Sequence, residues 1–543
     1  MKKLFLLLSD ISTRLRKYIL VLIISSTAIP FLELFGITLL IPILSKYTNS
    51  NELNNIPYLN VITEKLSFNQ LLAAFLIIFV IKSLYIVTHN YFNIYLNNSI
   101  LNQLSLKYFQ RYNSQPIDFH NKHQPSDLLK RIRTDLAYIN IYLSSWINIF
   151  TDLILVFTLG FYLIILNAEV FFIISFILIT FTIIFYLIFF KKNKIYSNKR
   201  NLGDKNIQKI ILENFSGIKN LKLFNKENIF VEKLRFYLNE QKIYNSFTMT
   251  IGNSTKIYLE FIFVITIISV LFYLRNTDQE ILIYLSILLL ISIRLLPIFS
   301  RIQASIQNIG FYKNAIDSLG LDIKNNLAEY EIITPHSIEG IDIKFNYQNN
   351  NIFNNFNFKI QKDKLITFIV GESGSGKSTL FEIITGLRKI SGGSILINGV
   401  RLNNRNFKLD KIAFLSQVPY VFEGSLIDNI TFGRKYDYKL LIDSLKQVEA
   451  LKFVNLKNLE SYYINENGSN FSLGQLQRIT LARALYGSPE IIFLDEPTSS
   501  LDNFNENNII NNLIKISKTT KLIVITHSTE IIKSVKNKHI IQL

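Results

Sequence analysis

Long apolar runs, each interrupted by only a few charges, recur through the first 305 residues, whereas the remaining residues mix apolar and polar positions as a soluble domain does. Each run is long enough to cross about 30 Å of hydrocarbon as a helix. Apolar residues make up 49% of the chain and are concentrated in this first part, which favours a bilayer over a soluble core. The pattern predicts six membrane-spanning helices, at 18–46, 69–96, 138–166, 168–192, 244–274 and 279–305.

Basic residues are concentrated in two of the connections between these spans. Six lie between the second and third spans, and thirteen lie between residues 191 and 242. Because positively charged connections stay on the cytoplasmic side, both termini are expected to be cytoplasmic. The net charge of +18 is then explained by the basic residues of the cytoplasmic connections, and we expect no nucleic-acid partner. The chain contains no cysteine, which excludes structural disulfides and thiolate chemistry.

A glycine-rich motif marks the second part of the chain. It follows an apolar segment at 365–370, which predicts a buried strand, and precedes a segment at 380–384, which predicts a helix. A glycine-rich turn closed by Lys-Ser-Thr cradles nucleotide phosphates with backbone N–H groups at the helix N-terminus. The motif consists of Gly371, Glu372, Ser373, Gly374, Ser375, Gly376, Lys377, Ser378 and Thr379.

Further downstream the sequence supplies groups for hydrolysis. An apolar segment at 491–494 leads into Asp495 and Glu496, of which the first could hold Mg²⁺ through water and the second could orient or deprotonate an attacking water. A second apolar segment, 522–526, predicts a buried strand that brings His527 to its carboxyl end, where it could contact the γ-phosphate. A purely structural role for this histidine remains the alternative.

From Tyr347 to His527 the sequence resembles the ATP-binding cassette family. The resemblance implies that Tyr347 stacks on adenine and that Lys377 bridges the β- and γ-phosphates of ATP. It also implies that Ser378 coordinates Mg²⁺ and that Gln417 contacts both the metal and the membrane domain. The catalytic residues implied are thus Glu496, His527, Lys377 and Gln417.

The segment 471–478 resembles the family signature, which caps the ATP of the opposite subunit. The residues implied at the partner's ATP are Ser472, Gly474, Gln475 and Asp502. The signature departs from the family pattern at Phe471 and at Leu473, where a glycine is usual. Since glycine permits close approach and unusual dihedrals, Leu473 could hinder closure. We nevertheless expect an active ATPase, and a Leu473→Gly variant that hydrolyses ATP orders of magnitude faster would contradict this.

The fold class expected is an α-helical six-span transmembrane domain of exporter type fused to an α/β P-loop ATPase domain. The predicted boundaries are 1–310 for the transmembrane domain, 311–332 for a linker and 333–543 for the ATPase domain. One cassette in the chain predicts a homodimer with two equivalent ATP sites. The segments that resemble coupling regions of the family are 115–119 with 125–129, and 213–219, where Gly217 offers a helix break.

Charged residues inside the spans are informative because they are costly there. Glu33, Lys82 and Glu260 are expected to form intramembrane ion pairs or to reach the membrane surface. Arg294 and Arg301, seven residues apart, are expected on one face of the last span, with no acidic residue near them in that span. Together with Lys256 they predict a cationic cavity suited to phosphate.

The segment 293–297 with Arg301, and the segment 33–42, resemble the flippase that moves lipid-linked oligosaccharides across the bacterial inner membrane. A short amphipathic helix expected near 56–66 agrees with that subgroup. The resemblance implies a polyprenyl-pyrophosphate glycan as substrate, membrane lipid as partner and the bacterial inner membrane as location.

Other substrates stay open, namely another glycolipid, a lipid, a peptide or an amphipathic drug. No peptidase domain is found ahead of the first span, which leads us to expect that a processing peptide exporter is the less favoured of these. A nucleotide-regulated channel or sensor is an alternative from another class. The presence of Glu496 and His527 disfavours it, and vanadate-sensitive ATP turnover would distinguish the two classes.

Overall fold

The computed structural model describes residues 7, 9–48, 66–166, 168–274, 281–318, 331–347, 350–360, 366–372, 374–402, 407–497, 511, 514–518, 520–526, 529–535 and 537–543. The chain divides into two compact units. The first unit comprises Met1–Gln115 and His120–Asn326, and the second comprises Pro116–Phe119 and Leu327–Leu543.

Helices build the first unit, and the described residues of the predicted spans lie in them. The first span is divided at Thr27 into two helices. The helices in this part of the chain are α1 (Thr13–Ser26), α2 (Ala28–Thr48), α3 (Phe68–Asn113), α4 (Ile117–Lys122), α5 (Pro125–Lys130), α6 (Leu136–Leu166), α7 (Ala168–Ser216), α8 (Ile218–Phe224), α9 (Glu227–Leu274) and α10 (Ile281–Ser318), with a π-helical turn at Arg131–Asp135 before α6. The first turn of α4, up to Phe119, belongs to the second unit.

Several of these helices are much longer than a bilayer requires. Helix α3 has 46 residues, α7 has 49 and α9 has 48. At 1.5 Å per residue each reaches about 70 Å, more than twice the thickness of the hydrocarbon. Helix α7 ends at Ser216 and α8 begins at Ile218, so the predicted break at Gly217 is confirmed.

Within the described residues, three segments are long and apolar enough to cross a membrane. They are Thr13–Gly36, Phe68–Asn113 and Pro125–Ile165. Shorter apolar helical stretches are Ala168–Phe181 and Ile257–Tyr273. Leu159 and Ile262 are completely buried in the apolar cluster where α6, α7, α9 and α10 pack.

The second unit contains a parallel five-stranded sheet and an antiparallel four-stranded sheet. The parallel sheet has the order β13-β4-β12-β11-β8, and the antiparallel sheet has the order β3-β2-β5-β6. The strands are β1 (Glu331–Ile333), β2 (Ile338–Tyr347), β3 (Asn350–Ile360), β4 (Ile366–Val370), β5 (Gly392–Ile397), β6 (Val400–Arg401), β7 (Phe407–Leu409), β8 (Ile412–Leu415), β9 (Gly424–Ser425), β10 (Tyr463–Ile464), β11 (Ile491–Asp495), β12 (Lys521–Ile525) and β13 (Lys538–Gln542).

Helices flank the parallel sheet, as in α/β proteins generally. They are α11 (Lys377–Ile384), α12 (Leu426–Thr431), α13 (Tyr438–Gln447), α14 (Leu473–Tyr486) and α15 (Thr529–Ser534). Two apolar cores form, one around Phe368 and Leu494 and the other around Ile369 and Phe493. The side chains of successive residues on β4 and β11 therefore enter opposite cores, which explains why both strands are continuously apolar. The predicted buried strands at 365–370, 491–494 and 522–526 are confirmed by β4, β11 and β12.

Candidate functional site

Four parallel strands end at the same edge of the five-stranded sheet. The chain leaves β4 at Gly371, follows β8 into Gln417, ends β11 at Asp495 and leaves β12 at Thr526. Because neighbouring parallel strands share the direction of their carboxyl ends, the described residues among those predicted for phosphate binding and hydrolysis lie at this edge.

The loop after β4 has a backbone that depends on glycine. Gly374 has a φ of 86° and Gly376 a φ of 99°, values that other residues rarely adopt. A Cβ at Gly376 would lie 2.5 Å from Ile352 Cγ2, so a side chain does not fit there. Helix α11 begins directly afterwards at Lys377, and its first N–H groups have no partner within the helix. This backbone has the form that the motif predicts for a phosphate cradle.

Two side chains of the loop are suited to phosphate oxygens. The Lys377 ammonium is almost fully buried and donates hydrogen bonds to the carbonyl oxygens of Gly371, at 3.0 Å, and Glu372, at 2.8 Å. The Ser375 hydroxyl is buried and has no hydrogen-bond partner among the described residues. A buried hydroxyl without a partner is costly, and a phosphate oxygen would satisfy it. The loop therefore fits a nucleotide.

The two carboxylates at the end of β11 lie in different environments. Burial raises the pKa of Asp495, as does the neighbouring charge of Glu496, while Lys377 acts in the opposite direction. A desolvated carboxylate with a raised proton affinity is stabilised by a nearby divalent cation, so Asp495 fits the role predicted at Mg²⁺. Ser378, which with Gln417 is also predicted at Mg²⁺, is exposed on the first turn of α11.

Glu496 is fixed by three features. Its backbone adopts a φ of 45°, which is unusual outside glycine. Its N–H donates to the Ile525 carbonyl at 2.9 Å, and its carboxylate accepts a hydrogen bond from the Gln417 amide, also at 2.9 Å. Such strained backbone positions persist where the surroundings hold them and occur often at functional sites. The structure thus brings Glu496 and Gln417 together, as a shared site requires.

The signature segment forms the start of α14. Ser472 caps the helix by accepting from the Gln475 N–H at 3.2 Å, and the Gln475 side chain accepts from the Ser472 N–H at 2.9 Å. This reciprocal pair is a capping box. Leu473 is the first helical residue and is 45% exposed. The position therefore needs no left-handed backbone, and the leucine replaces the usual glycine without conformational strain. Gly474 follows in the same helical turn.

Tyr347 lies at the end of β2, with its hydroxyl 3.3 Å from Thr379 Oγ1 on α11. The ring is therefore attached to the helix that follows the phosphate loop. Arg388, which the sequence interpretation did not select, lies against this ring. No pattern in the sequence distinguishes this arginine from a surface residue.

Some predicted residues cannot be placed. Ser373, Asp502 and His527 lie outside the described residues, as do the expected helix near 56–66 and most of the predicted linker. The side chains of Lys256 and Arg294 also lie outside the part of the chain that the structure describes, although both belong to helices.

The membrane part holds the other predicted charges. Lys82 Nζ lies 2.7 Å from Glu33 Oε2, and only 5% and 11% of these two side chains are exposed, which confirms the expected ion pair between charges of the spans. Glu260 is exposed. Arg301 was expected to have no acidic partner, and this is wrong. Its guanidinium pairs at 2.7 Å with the buried Asp152, which lies on α6. The spacing of residues within the last span carries no information about a carboxylate on another helix.

A polar cavity of about 400 Å³ lies in the first unit, between α1, α2, α3, α6 and α10. Arg301 lines it, as predicted, beside Asp152. The other polar residues of the wall include His89, Asn90, Asn93, Asn148 and Thr151. Since its arginine is paired, the described wall is polar without carrying an excess of positive charge.

Comparison with known proteins identifies both parts of the chain. Residues 18–307 match the family model described as ABC transporter transmembrane region, and residues 353–499 match the model described as ABC transporter. The first of these covers more than half of the chain. A bacterial Atm1-family ABC exporter with ATP bound has the same fold, with a TM-score of 0.79 over 98% of this chain and 93% of that chain, at 15% identity.

Curated relatives are similar over most of the chain. The sublancin-168-processing and transport ATP-binding protein SunT of Bacillus subtilis is 26% identical over 480 residues, which are 84% of this chain and 66% of SunT. The lactococcin-G-processing and transport ATP-binding protein LagD of Lactococcus lactis is 25% identical over 500 residues, 86% of this chain and 68% of LagD. This chain thus spans about two thirds of the length of these relatives. With an exporter-type helical domain and an ABC ATPase domain in one polypeptide, the protein belongs to the ABC transporter family.

Proposed function

We propose that the protein is an ATP-driven exporter in which Glu496 promotes hydrolysis. The observation that carries this proposal is the hydrogen bond between Gln417 and Glu496 at the strand ends beside the phosphate loop. Lys377 and the loop N–H groups would hold the phosphates of ATP, and Tyr347 the adenine. Ser378, Gln417 and Asp495, the last through water, would hold Mg²⁺, which would neutralise phosphate charge when bound. Glu496 would orient an attacking water and accept its proton.

The active assembly in this proposal is a homodimer. One chain contributes one phosphate loop and one signature, and the family resemblance implies that Ser472, Gly474, Gln475 and Asp502 of one copy face ATP held by the other. Two equivalent sites result from the two-fold symmetry. The ATPase domain and both termini would be cytoplasmic, as the distribution of basic connections supports. The membrane would be a bacterial inner membrane, as the family resemblance implies.

The substrate we propose is a peptide. The polar cavity of the first unit supports this, because amide side chains such as Asn90 and Asn148 can donate to and accept from peptide groups. The pairing of Arg301 with Asp152 leaves the cavity wall without a strong preference for anions. Two relatives that match more than four fifths of this chain are named for the transport and processing of sublancin 168 and lactococcin G.

Flipping of a lipid-linked oligosaccharide is the second candidate. It is favoured by Arg294 and Arg301, seven residues apart on α10, and by the resemblance of 293–297 to the flippase of bacterial glycosylation. A pyrophosphate would then be bound by Arg294, Lys256 and an Arg301 released from Asp152. Another glycolipid, a lipid or an amphipathic drug are the remaining substrates of the same class.

Reconstitution tests these substrates directly. Proteoliposomes with outward-facing ATPase domains would receive ATP and either fluorescent sublancin or a fluorescent polyprenyl-pyrophosphate oligosaccharide. We expect vanadate-sensitive uptake of the peptide, reduced in Asn90→Ala and Asn148→Ala but not in Asn113→Ala, whose asparagine is exposed at the end of α3. Flipping of the oligosaccharide alone would establish the second candidate. ATP binding without turnover would replace the exporter with a nucleotide-regulated channel or sensor.

A further inference from the structure

Arg388 is a buried cation in the second unit that the hydrolysis mechanism does not use. It follows α11 in the chain, and only 3% of its side chain is exposed. A guanidinium cannot be deprotonated at ordinary pH, so its burial requires carboxylate partners. Its surroundings therefore indicate what it holds in place.

Two carboxylates from different segments bind the guanidinium edge. Arg388 Nε donates to Glu382 Oε2 on α11 at 2.7 Å, and one terminal nitrogen donates to Asp118 Oδ1. Glu382 is a local partner, six residues earlier, whereas Asp118 is 270 residues away in sequence. By its contacts, the segment Pro116–Phe119 belongs to the same compact unit as the phosphate loop. In the chain this segment directly follows the long helix α3.

The flat face of the same guanidinium contacts aromatic rings. Its central carbon lies 4.7 Å from the centre of the Tyr347 ring and 5.6 Å from that of Phe345. Phe345 in turn meets Tyr347 edge to face, with ring centres 5.0 Å apart and planes at 88°. A cation over an aromatic face is attractive and fixes the orientation of the ring.

Tyr347 is thereby held on several sides but not enclosed. Its hydroxyl reaches Thr379, Arg388 covers part of its ring, and 39% of the residue remains exposed. An aromatic ring that is held in place by some of its contacts and is still partly exposed is suited to stacking on a planar base.

We propose that Arg388 is a positioning residue for nucleotide binding, which orients Tyr347 for the adenine base, and that Asp118 sets the position of Arg388. The affinity for the base then depends on the segment Pro116–Phe119, and displacement of Asp118 lowers it. This inference rests on the proposed role of Tyr347 at adenine. It assigns to Asp118 and Arg388 an effect on binding of the base and none on the cleavage of phosphate.

Steady-state kinetics of the full-length protein test the proposal. The variants are Asp118→Asn, Arg388→Lys and Tyr347→Ala, with the exposed Asp443→Asn on α13 as the matched control. From the strength of cation–π and stacking contacts we expect the KM for ATP to rise about 3- to 30-fold in the first three variants, with kcat within about twofold. Competition by inorganic triphosphate, which has no base, should be unchanged, and so should the control.

The outcomes separate this inference from the base-binding role of Tyr347. An unchanged KM in Tyr347→Ala would remove the adenine assignment and the inference with it. A raised KM in Tyr347→Ala beside normal values in Asp118→Asn and Arg388→Lys would keep the assignment and overturn the inference. Equal losses of affinity for ATP and for inorganic triphosphate would indicate a general structural defect and would also overturn the inference. If Arg388→Lys does not fold, the half-exposed Asp118 decides the question through Asp118→Asn alone.

Discussion

Glu496 illustrates how backbone strain and side-chain bonding combine at a single residue. Its left-handed backbone conformation costs about 1–3 kcal/mol relative to an ordinary one. The hydrogen bond from its N–H to the Ile525 carbonyl and the one from Gln417 to its carboxylate offset this cost. The result is a carboxylate held next to Asp495, whose own charge is already disfavoured by burial.

Replacing Glu496 by glutamine tests its role as the base. The amide can still accept a hydrogen bond from Gln417, so we expect ATP binding to persist. Because a general base accelerates hydrolysis by about 10²- to 10⁴-fold, kcat should fall by that factor. Phosphate release and equilibrium nucleotide binding would be measured side by side.

The matched control is Glu490→Gln. Glu490 lies just before β11, and its half-buried carboxylate pairs with His336 and Lys411. Its turnover should remain close to that of the unmodified protein. A Glu496→Gln variant that retains more than about a tenth of the original kcat would assign the base to another residue.

At the scale of elements, one acidic residue of the N-terminal segment forms several hydrogen bonds and ion pairs with α3. Asp10 lies 2.9 Å from Arg111 and 2.8 Å from Lys107, and Tyr108 donates to it at 3.2 Å. Burial by itself would raise the pKa of Asp10, but the hydrogen bonds from Arg111 and Lys107 outweigh it and lower the pKa. The charged form is therefore stabilised by folding.

An Asp10→Asn variant should lose this stabilisation in a pH-dependent way. A lowered pKa in the folded state contributes stability above the unfolded pKa, and the contribution disappears as the pH falls through the folded pKa. At pH 7 we expect a loss of about 2 kcal/mol, typical of hydrogen bonds to a charged group. The midpoint of thermal unfolding in detergent would be measured from pH 7 downwards, with Asp443→Asn as the control.

The difference in midpoint between Asp10→Asn and the unmodified protein should shrink as the pH decreases. A difference that stays constant over this range would show that the carboxylate charge does not stabilise the segment. The lower stability of Asp10→Asn would then be caused by altered packing of the side chain.

Helix α14 accommodates a residue that differs from the family pattern. The family pattern has a glycine at position 473, and glycine tolerates unusual dihedrals. The capping box of Ser472 and Gln475 starts the helix before this position, so Leu473 has an ordinary helical backbone and a partly exposed side chain. Any effect of the leucine on hydrolysis would then come from its side chain at the partner copy.

At the scale of the whole molecule, the proposed homodimer can be tested by combining two defects. One copy would carry Lys377→Ala in the phosphate loop, and the other would carry Ser472→Arg in the signature. If each ATP site takes its loop from one copy and its signature from the other, a mixed dimer has one site with both defects and one intact site. Purified mixed dimers should therefore recover about half of the original ATPase activity.

Homodimers of either variant, and a homodimer with both substitutions in the same chain, should be inactive in the same assay. Recovery requires two differently tagged copies that are purified together. Mixed dimers as inactive as the homodimers of the single variants would contradict a site formed by the loop of one copy and the signature of the other.

The sequence by itself determined the apolar helices of the first part, the α/β cassette and the order of the glycine-rich loop and the two carboxylates. These features depend on local patterns, namely runs of apolar residues and motifs in which neighbouring residues act together. The confirmed break at Gly217 and the strands that lead to Gly371 and Asp495 are of this kind.

Only the tertiary structure decided which charges meet. Asp152 neutralises Arg301 across 149 positions of sequence, and Asp118 reaches Arg388 across 270. Such pairs form because burial makes an isolated charge costly, whichever element supplies the partner. Spacing along one helix carries no information about a carboxylate on another. The expectation, drawn from a single span, that Arg301 has no acidic partner was therefore wrong, whereas the strands that carry the contiguous motifs of the candidate nucleotide site were predictable.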